Sequence, residues 1–196
     1  MPIAIDGSGT ITGVSVGGLP DGIVDTDMIA AAAVTAPKRG PGAILQIVQN
    51  APFTGSGTDF TTTNTSAQQI TALDTSITPI AAGSKLFVMM NIRTQNDYSS
   101  DINGRHSFNM FRSVAGGSNS NTLIQGFNGI FGYSGSNRNN YLNHAMTLLD
   151  APSYSLGNAI VYKFSVASDT SNNFARVYLS SSSGPRSSIT VMEIAA

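Results

Sequence analysis

The chain contains no cysteine and no tryptophan, one glutamate (Glu193), three lysines (Lys38, Lys85, Lys163) and two histidines (His106, His144). Each shortage excludes something. Without cysteine there is no disulfide framework and no thiolate metal site, so stability must come from packing, hydrogen bonds or assembly. Charged residues make up 11% of the 196, against about 25% in ordinary soluble domains, and a net charge of -1 sets up no field to draw in nucleic acid or anionic lipid. The scarcity of Glu and Lys beside plentiful Thr, Ser, Asn and Gly removes the residues that usually clothe long helices, which points to a mostly β chain. No apolar run reaches the roughly 18 residues of a bilayer span, and Met1 to Thr10 has neither the basic start nor the apolar stretch of a signal peptide. Synthesis in a cytoplasm without export is the expectation.

What is present falls into two parts. The first aromatic residue is Phe53, and before it GSGTITG (Gly7 to Gly13) and GGLPDG (Gly17 to Gly22) act as turn punctuation. Met1 to Gly42 is too small-sided to bury a core by itself. Its apolar residues, among them Ile5, Val16 and Leu19, are too many for a solvated tail, and Asp25-Thr26-Asp27 ahead of Met28, Ile29 and the alanines to Val34 reads as an N-cap and a short helix stopped by Pro37. Residues 1–42 are therefore expected to be an ordered docking arm, with a flexible linker as the competing reading.

From Ala43 onward, strand-like runs alternate with Ser/Gly/Asn/Asp loops at the spacing of an all-β sandwich or barrel. The predicted strands are Ala43 to Gln49, Gln69 to Asp74, Lys85 to Thr94, Arg105 to Val114, Thr122 to Gly126, Gly129 to Tyr133, Tyr141 to Leu149, Ala159 to Ala167, Phe174 to Ser180 and Ser188 to Ala195. Ile160, Tyr162, Phe164 and Val166 share one face, with Val161, Lys163 and Ser165 on the other, as a half-buried strand requires. Leu86 to Ile92 and Ile189 to Ile194 are apolar on both faces, which asks for a central place in the sheet or a neighbouring subunit; the neighbouring subunit is the preferred expectation.

Catalytic chemistry finds little purchase. Both histidines lie in strand runs, His106 beside Phe108 and Met110 and His144 beside Leu142, Met146 and Leu148, so they read as core or interface residues; a ring of symmetry-related histidines is the sharper alternative. Gly132-Tyr133-Ser134-Gly135-Ser136 misses the G-x-S-x-G spacing by one position. A glycosidase needs two paired carboxylates, and nothing in the spacing of Asp97, Asp101, Asp150 and Asp169 selects two of them. Asp97 to Gly104 departs from the EF-hand spacing, with Phe108 where the closing Glu belongs. No catalytic residue, metal site or cofactor is expected. Sugar recognition combines an aromatic ring with planar polar groups, and two loops supply both: Tyr98 with Asp97, Asp101 and Asn103, and Tyr133 or Tyr141 with Arg138, Asn139 and Asn140. Solvated loops without a ligand have the same composition.

The opening MPIAIDGSGTITGVSVGGLPDGIVDTDMIAAAAVTAPKRGPGAILQIVQ (Met1 to Gln49), with SKLFVMMNI (Ser84 to Ile92), FNMFRS (Phe108 to Ser113), LLDAPS (Leu148 to Ser153) and SSITVMEIA (Ser187 to Ala195), resembles fibre-type structural proteins of marine and cyanobacterial tailed bacteriophages. The resemblance spans most of the chain and implies a virion protein, variously a tail fibre, receptor-binding or head-fibre component, that assembles as a homotrimer. It carries no catalytic or ligand residues to transfer. The combined expectation is an all-β, jelly-roll-like β-sandwich head over 43–196 with an extended N-terminal attachment arm over 1–42, trimeric and located in the virion. Its expected partners are two copies of itself, other virion proteins through residues 1–42, and host surface polysaccharide at the loops, with no nucleic acid and no membrane insertion. A capsid fibre or decoration protein anchored through the same arm is the alternative.

Overall fold

The structure is a computed structural model of the chain and describes residues 4–5, 11–12, 38–52, 59–97, 106–115, 122–128, 140–168, 174–179 and 186–196. The chain divides into two compact units, residues 1–38 and 39–196. In the first, β1 (Ala4–Ile5) pairs antiparallel with β2 (Ile11–Thr12), Ile5 lying opposite Ile11. Val16, Leu19, Met28, Ile29 and the helix expected up to Val34 lie outside the described residues. Residues 39–42, which composition assigns to the arm, are tied into the second unit. Gly42 N–H donates to Ala195 O (3.0 Å), Ala195 N–H donates to Ala43 O (2.9 Å), and Arg39 Nη1 donates to Leu45 O (3.1 Å).

The second unit is all-β, and no α-helix occurs among the described residues. One sheet holds β3 (Ile44–Asn50), β4 (Phe60–Thr62), β7 (Lys85–Asp97), β10 (Asn140–Asp150), β12 (Phe174–Val177) and β13 (Ser188–Ile194). The other holds β5 (Gln68–Gln69), β6 (Thr75–Ile77), β8 (His106–Val114), β9 (Thr122–Asn128) and β11 (Ile160–Ser168). β12 and β13 lie one after the other along the same edge of β7, against residues 97 to 94 and 91 to 85 respectively, so together they act as one long strand with an excursion between Val177 and Ser188. β4 and β3 continue that relation outward, and β5 and β6 do the same along β11. Counting each such pair as one strand, the first sheet runs β3/β4, β13/β12, β7, β10 and the second β5/β6, β11, β8, β9.

Side chains on the facing sides of the two sheets form the core: Leu86, Val88, Met90 and Ile92 of β7 and Ile189 and Val191 of β13 pack with Phe108, Met110, Ile160, Tyr162, Phe164 and Val166 from the second sheet. The period of two along these strands is what lets one face do this. β7 and β13 are both central strands, which accounts for part of their two-sided apolar character. Their outer faces still carry Phe87, Met89 and Met192, half-buried.

Four expectations are corrected. Gln69 to Asp74 is not one strand: β5 ends at Gln69, a 3-10 turn covers Thr71–Leu73 and β6 starts at Thr75. The reason is spacing, because Ile70 and Leu73 are three apart. A strand would send them to opposite faces, whereas a turn with three residues per repeat buries both, at 1% and 0% exposure. The strand predicted to end at Thr94 runs on to Asp97, so Gln95 and its neighbours are strand and not loop. Phe60–Thr62 is a strand that was not expected. β12 stops at Val177, short of Ser180. Gly129 to Tyr133 lies outside the described residues.

The head has two distinct ends. At one end lie the entry at residues 39–43 and the last residues, held by the Gly42–Ala195 bond, together with the start of β7 opposite Ile194. At the other end β7 finishes at Asp97, β10 starts with Asn140 opposite Asn96, β12 starts with Phe174 opposite Asp97, and Ser168 faces His106. The residues that flank 98–105, 129–139 and 169–173 are thus gathered at the end opposite the chain's entry.

Candidate functional site

Asp97 and Asn140 stand at the strand ends just described, and the register brings β7 and β10 side by side there. Tyr98, Asp101, Asn103, Arg138 and Asn139, like Tyr133 and most of the calcium-like stretch to Gly104, lie outside the described residues. Of the sugar-contact candidates, Tyr141 is described. It is 53% exposed on the outer face of the first sheet, and it belongs to a cluster that sequence spacing does not reveal.

That cluster is a cross-strand row: Tyr141 of β10 faces Gln95 of β7, Gln95 faces Arg176 of β12, and Arg176 faces Thr61 of β4. One step along, Arg93 receives the backbone N–H of Tyr178 at its carbonyl (2.9 Å). The Arg93 guanidinium lies over two rings, 5.5 Å from the Tyr141 centroid and 5.1 Å from that of Tyr178, which are themselves 6.0 Å apart. Arg176 lies over Phe174 at 5.4 Å and donates to Gln95 Oε1 (3.1 Å), which also accepts from the Tyr178 hydroxyl. Burial pushes the Tyr178 phenol up, so it stays a donor at neutral pH. Beside Arg176 a cleft of about 380 Å³ is lined by Thr61, Thr62, Thr63 and Phe174.

Towards the opposite end of the same face runs one apolar row. Ile47 of β3, Met192 of β13, Phe87 of β7 and Leu149 of β10 are consecutive cross-strand partners. Ile47 is 57% and Leu149 51% exposed. Phe87 and Gln95 are about 26 Å apart along β7 at roughly 3.3 Å per residue, so the apolar row and the Tyr–Arg cluster are separate patches.

His106, His144, Asp150 and Glu193 are held within the fold. His106 is buried against Phe108 edge-on (6.4 Å), and His144 lies on Phe108 at 5.3 Å with Nε2 3.0 Å from Thr94 Oγ1. Both imidazoles face between the sheets, as the core reading expects, and not outward towards an axis where symmetry-related histidines could meet. Burial lowers the His144 pKa. Asp150 accepts from Arg112 Nη1 (2.5 and 2.6 Å) and from the Tyr162 hydroxyl (2.8 Å), so it joins three strands. FNMFRS and LLDAPS meet in this ion pair, and SKLFVMMNI and SSITVMEIA are paired strands, so these four motifs are framework.

Glu193, fully buried, accepts from Gln46 Nε2 (2.6 Å), the Ile80 amide (3.0 Å) and the Ala81 amide (3.0 Å). It caps the turn that Gly83 closes at φ +72°. Burial pushes its carboxyl up, but the bonds from Gln46, Ile80, Ser84 and Ala81 together outweigh that and hold it below its ordinary value. Among the described residues no group of three His, Asp or Glu side chains is placed to hold a metal.

No protein-family model matches the chain, and no curated protein does. Solved structures similar to it include dimeric latent PorU from Porphyromonas gingivalis (TM-score 0.35, 10% identity, 76% of this chain and 12% of that one). Another is infectious bursal disease virus Gx strain (TM-score 0.30, 11% identity, 90% of this chain and 42% of that one). The chain spans less than half the length of either, and at these scores neither likeness bears on function.

Proposed function

We propose that this chain is a structural protein of a tailed-bacteriophage particle, a trimeric tail fibre or receptor-binding tip whose jelly-roll head presents one end to the host surface while residues 1–42 attach it to the virion. The observation that carries the reading is the polarity of the head: the chain enters at one end, and the polar segments after Asp97, before Asn140 and before Phe174 leave and rejoin the sheets at the other. An anchored body whose polar connecting segments join the sheets at the far end is the arrangement an attachment protein needs. The sheet orders β3/β4, β13/β12, β7, β10 and β5/β6, β11, β8, β9 are those expected of a jelly roll, an architecture used by viral capsid proteins and lectins among others. That link is one of fold alone. The apolar row Ile47–Met192–Phe87–Leu149 supports trimerisation, since an exposed apolar stripe crossing four strands favours a subunit contact.

Antibody-gold labelling of intact virions, viewed by electron microscopy, tests the reading. Gold at the tail is the expected result. Gold over the head would replace the tail fibre with a capsid fibre or decoration protein, and no gold on particles would end the virion reading.

A further inference from the structure

The cluster around Arg93 and Arg176 has the chemistry of a ligand site on a sheet face where framework residues would suffice. Two guanidinium groups stand on neighbouring strands, away from the Arg112–Asp150 ion pair. Arg93 is held by ring faces, with its buried Nη1 donating to nothing, and Arg176 bonds the neutral amide of Gln95, with its buried Nε likewise unused. The bonds and ring contacts of both guanidiniums given above are thus with neutral groups. On a chain of net charge -1 this cannot be the fringe of a general basic surface, so any attraction it exerts on an anion is local.

The surroundings narrow the ligand. Tyr141 offers an exposed ring face, and pyranose rings stack on such faces through their C–H groups. Thr61 and Thr63, both exposed, line the cleft with hydroxyls beside Phe174 and Arg176. Its volume of about 380 Å³ falls in the range of roughly 300 to 1,000 Å³ usual for small-ligand sites. An aromatic platform, hydroxyls and a planar cation able to grip a two-oxygen anion together fit an acidic sugar.

We propose that Arg176, Arg93, Tyr141 and Tyr178 form a binding site for acidic glycan, a pyranose unit bearing a carboxylate or a sulfate. Arg176 grips the anionic group, Tyr141 stacks on a neighbouring ring, and Arg93, in contact with both tyrosine rings, fixes their positions. The proposal rests on the reading of the head as an adhesive tip and gives that tip a ligand class. The site lies at the end of the head away from the chain's entry, where a host surface would be met.

The test is isothermal titration of the full-length protein with short oligomers of mannuronate, of sulfated glucose and of neutral glucose, with a single-stranded oligonucleotide as a control polyanion. Wild type is expected to bind one or both acidic sugars and neither control, and the choice between mannuronate and sulfated glucose identifies the anion. Arg176→Gln and Tyr141→Ala are each expected to weaken binding about tenfold or more, with thermal melts unchanged. Tyr141 is exposed, so its variant stays informative if loss of Arg176 disturbs folding. Ile80→Ser, at the other end of the head, should bind as wild type. Equal binding of neutral sugar or oligonucleotide, unchanged affinity in both variants, or no binding at all would each overturn the site. None of these touches the virion assignment, which gold labelling decides separately.

Discussion

At Glu193 a single buried carboxylate accepts bonds from Gln46 and from two amides of the turn before β7. Glu193→Gln keeps the shape but turns an NH₂ toward amide donors, and is expected to cost about 2 to 3 kcal/mol in urea unfolding. The sign of its pH dependence follows from the lowered carboxyl. Its stabilisation is present above the ordinary value of 4.5 and is lost as pH falls through the lower folded value, so the variant should show a flatter acid limb. His144 behaves in the same direction for a different reason. Burial lowers its pKa from 6.5, so the unfolded chain takes up a proton first and stability falls as pH drops below about 6.5 toward the folded value. Thermal melts between pH 7.5 and 5.5 should show this decline in wild type and a smaller one in His144→Gln.

Strands, taken as elements, were readable wherever apolar residues alternate, as in Ile160 to Val166. They were misread where spacing changes within a few residues, as at Ile70 and Leu73, or where a polar strand pairs on both sides, as at Gln95. β4 was missed because Phe60-Thr61-Thr62 is too short to show a period, and its partner Arg176 is remote in sequence. β8 is the element on which the core turns, since Phe108 contacts the rings of both His144 and Phe164, the latter at 5.5 Å. Phe108→Ala is expected to cost about 3 to 5 kcal/mol by the loss of buried area and the cavity left behind. Denaturant titration would measure it, and a cost below about 1 kcal/mol would mean that the neighbouring rings collapse into the gap.

For the whole molecule, the apolar row and the Tyr–Arg cluster lie towards opposite ends of one sheet face, so the proposed assembly and the proposed recognition can be tested apart. Ile47→Asp combined with Leu149→Asp puts two charges on the exposed ends of the apolar row. By sedimentation equilibrium it is expected to turn a trimer into a monomer while the circular dichroism spectrum stays that of a β protein. A trimer that survives both charges would move the subunit contact elsewhere, and the open edge of β10 would be the next place to look.

By itself the sequence determined the β character of the head and the faces of its longest strands. Composition starves helices of their formers, and a period of two is written residue by residue. Only the tertiary structure decided which strands are neighbours, and with them every contact that joins distant parts of the chain: Arg112 to Asp150, Glu193 to Ile80, and Tyr141 through Gln95 to Arg176. Cross-strand pairing depends on register between segments tens of residues apart, and local periodicity holds no record of it.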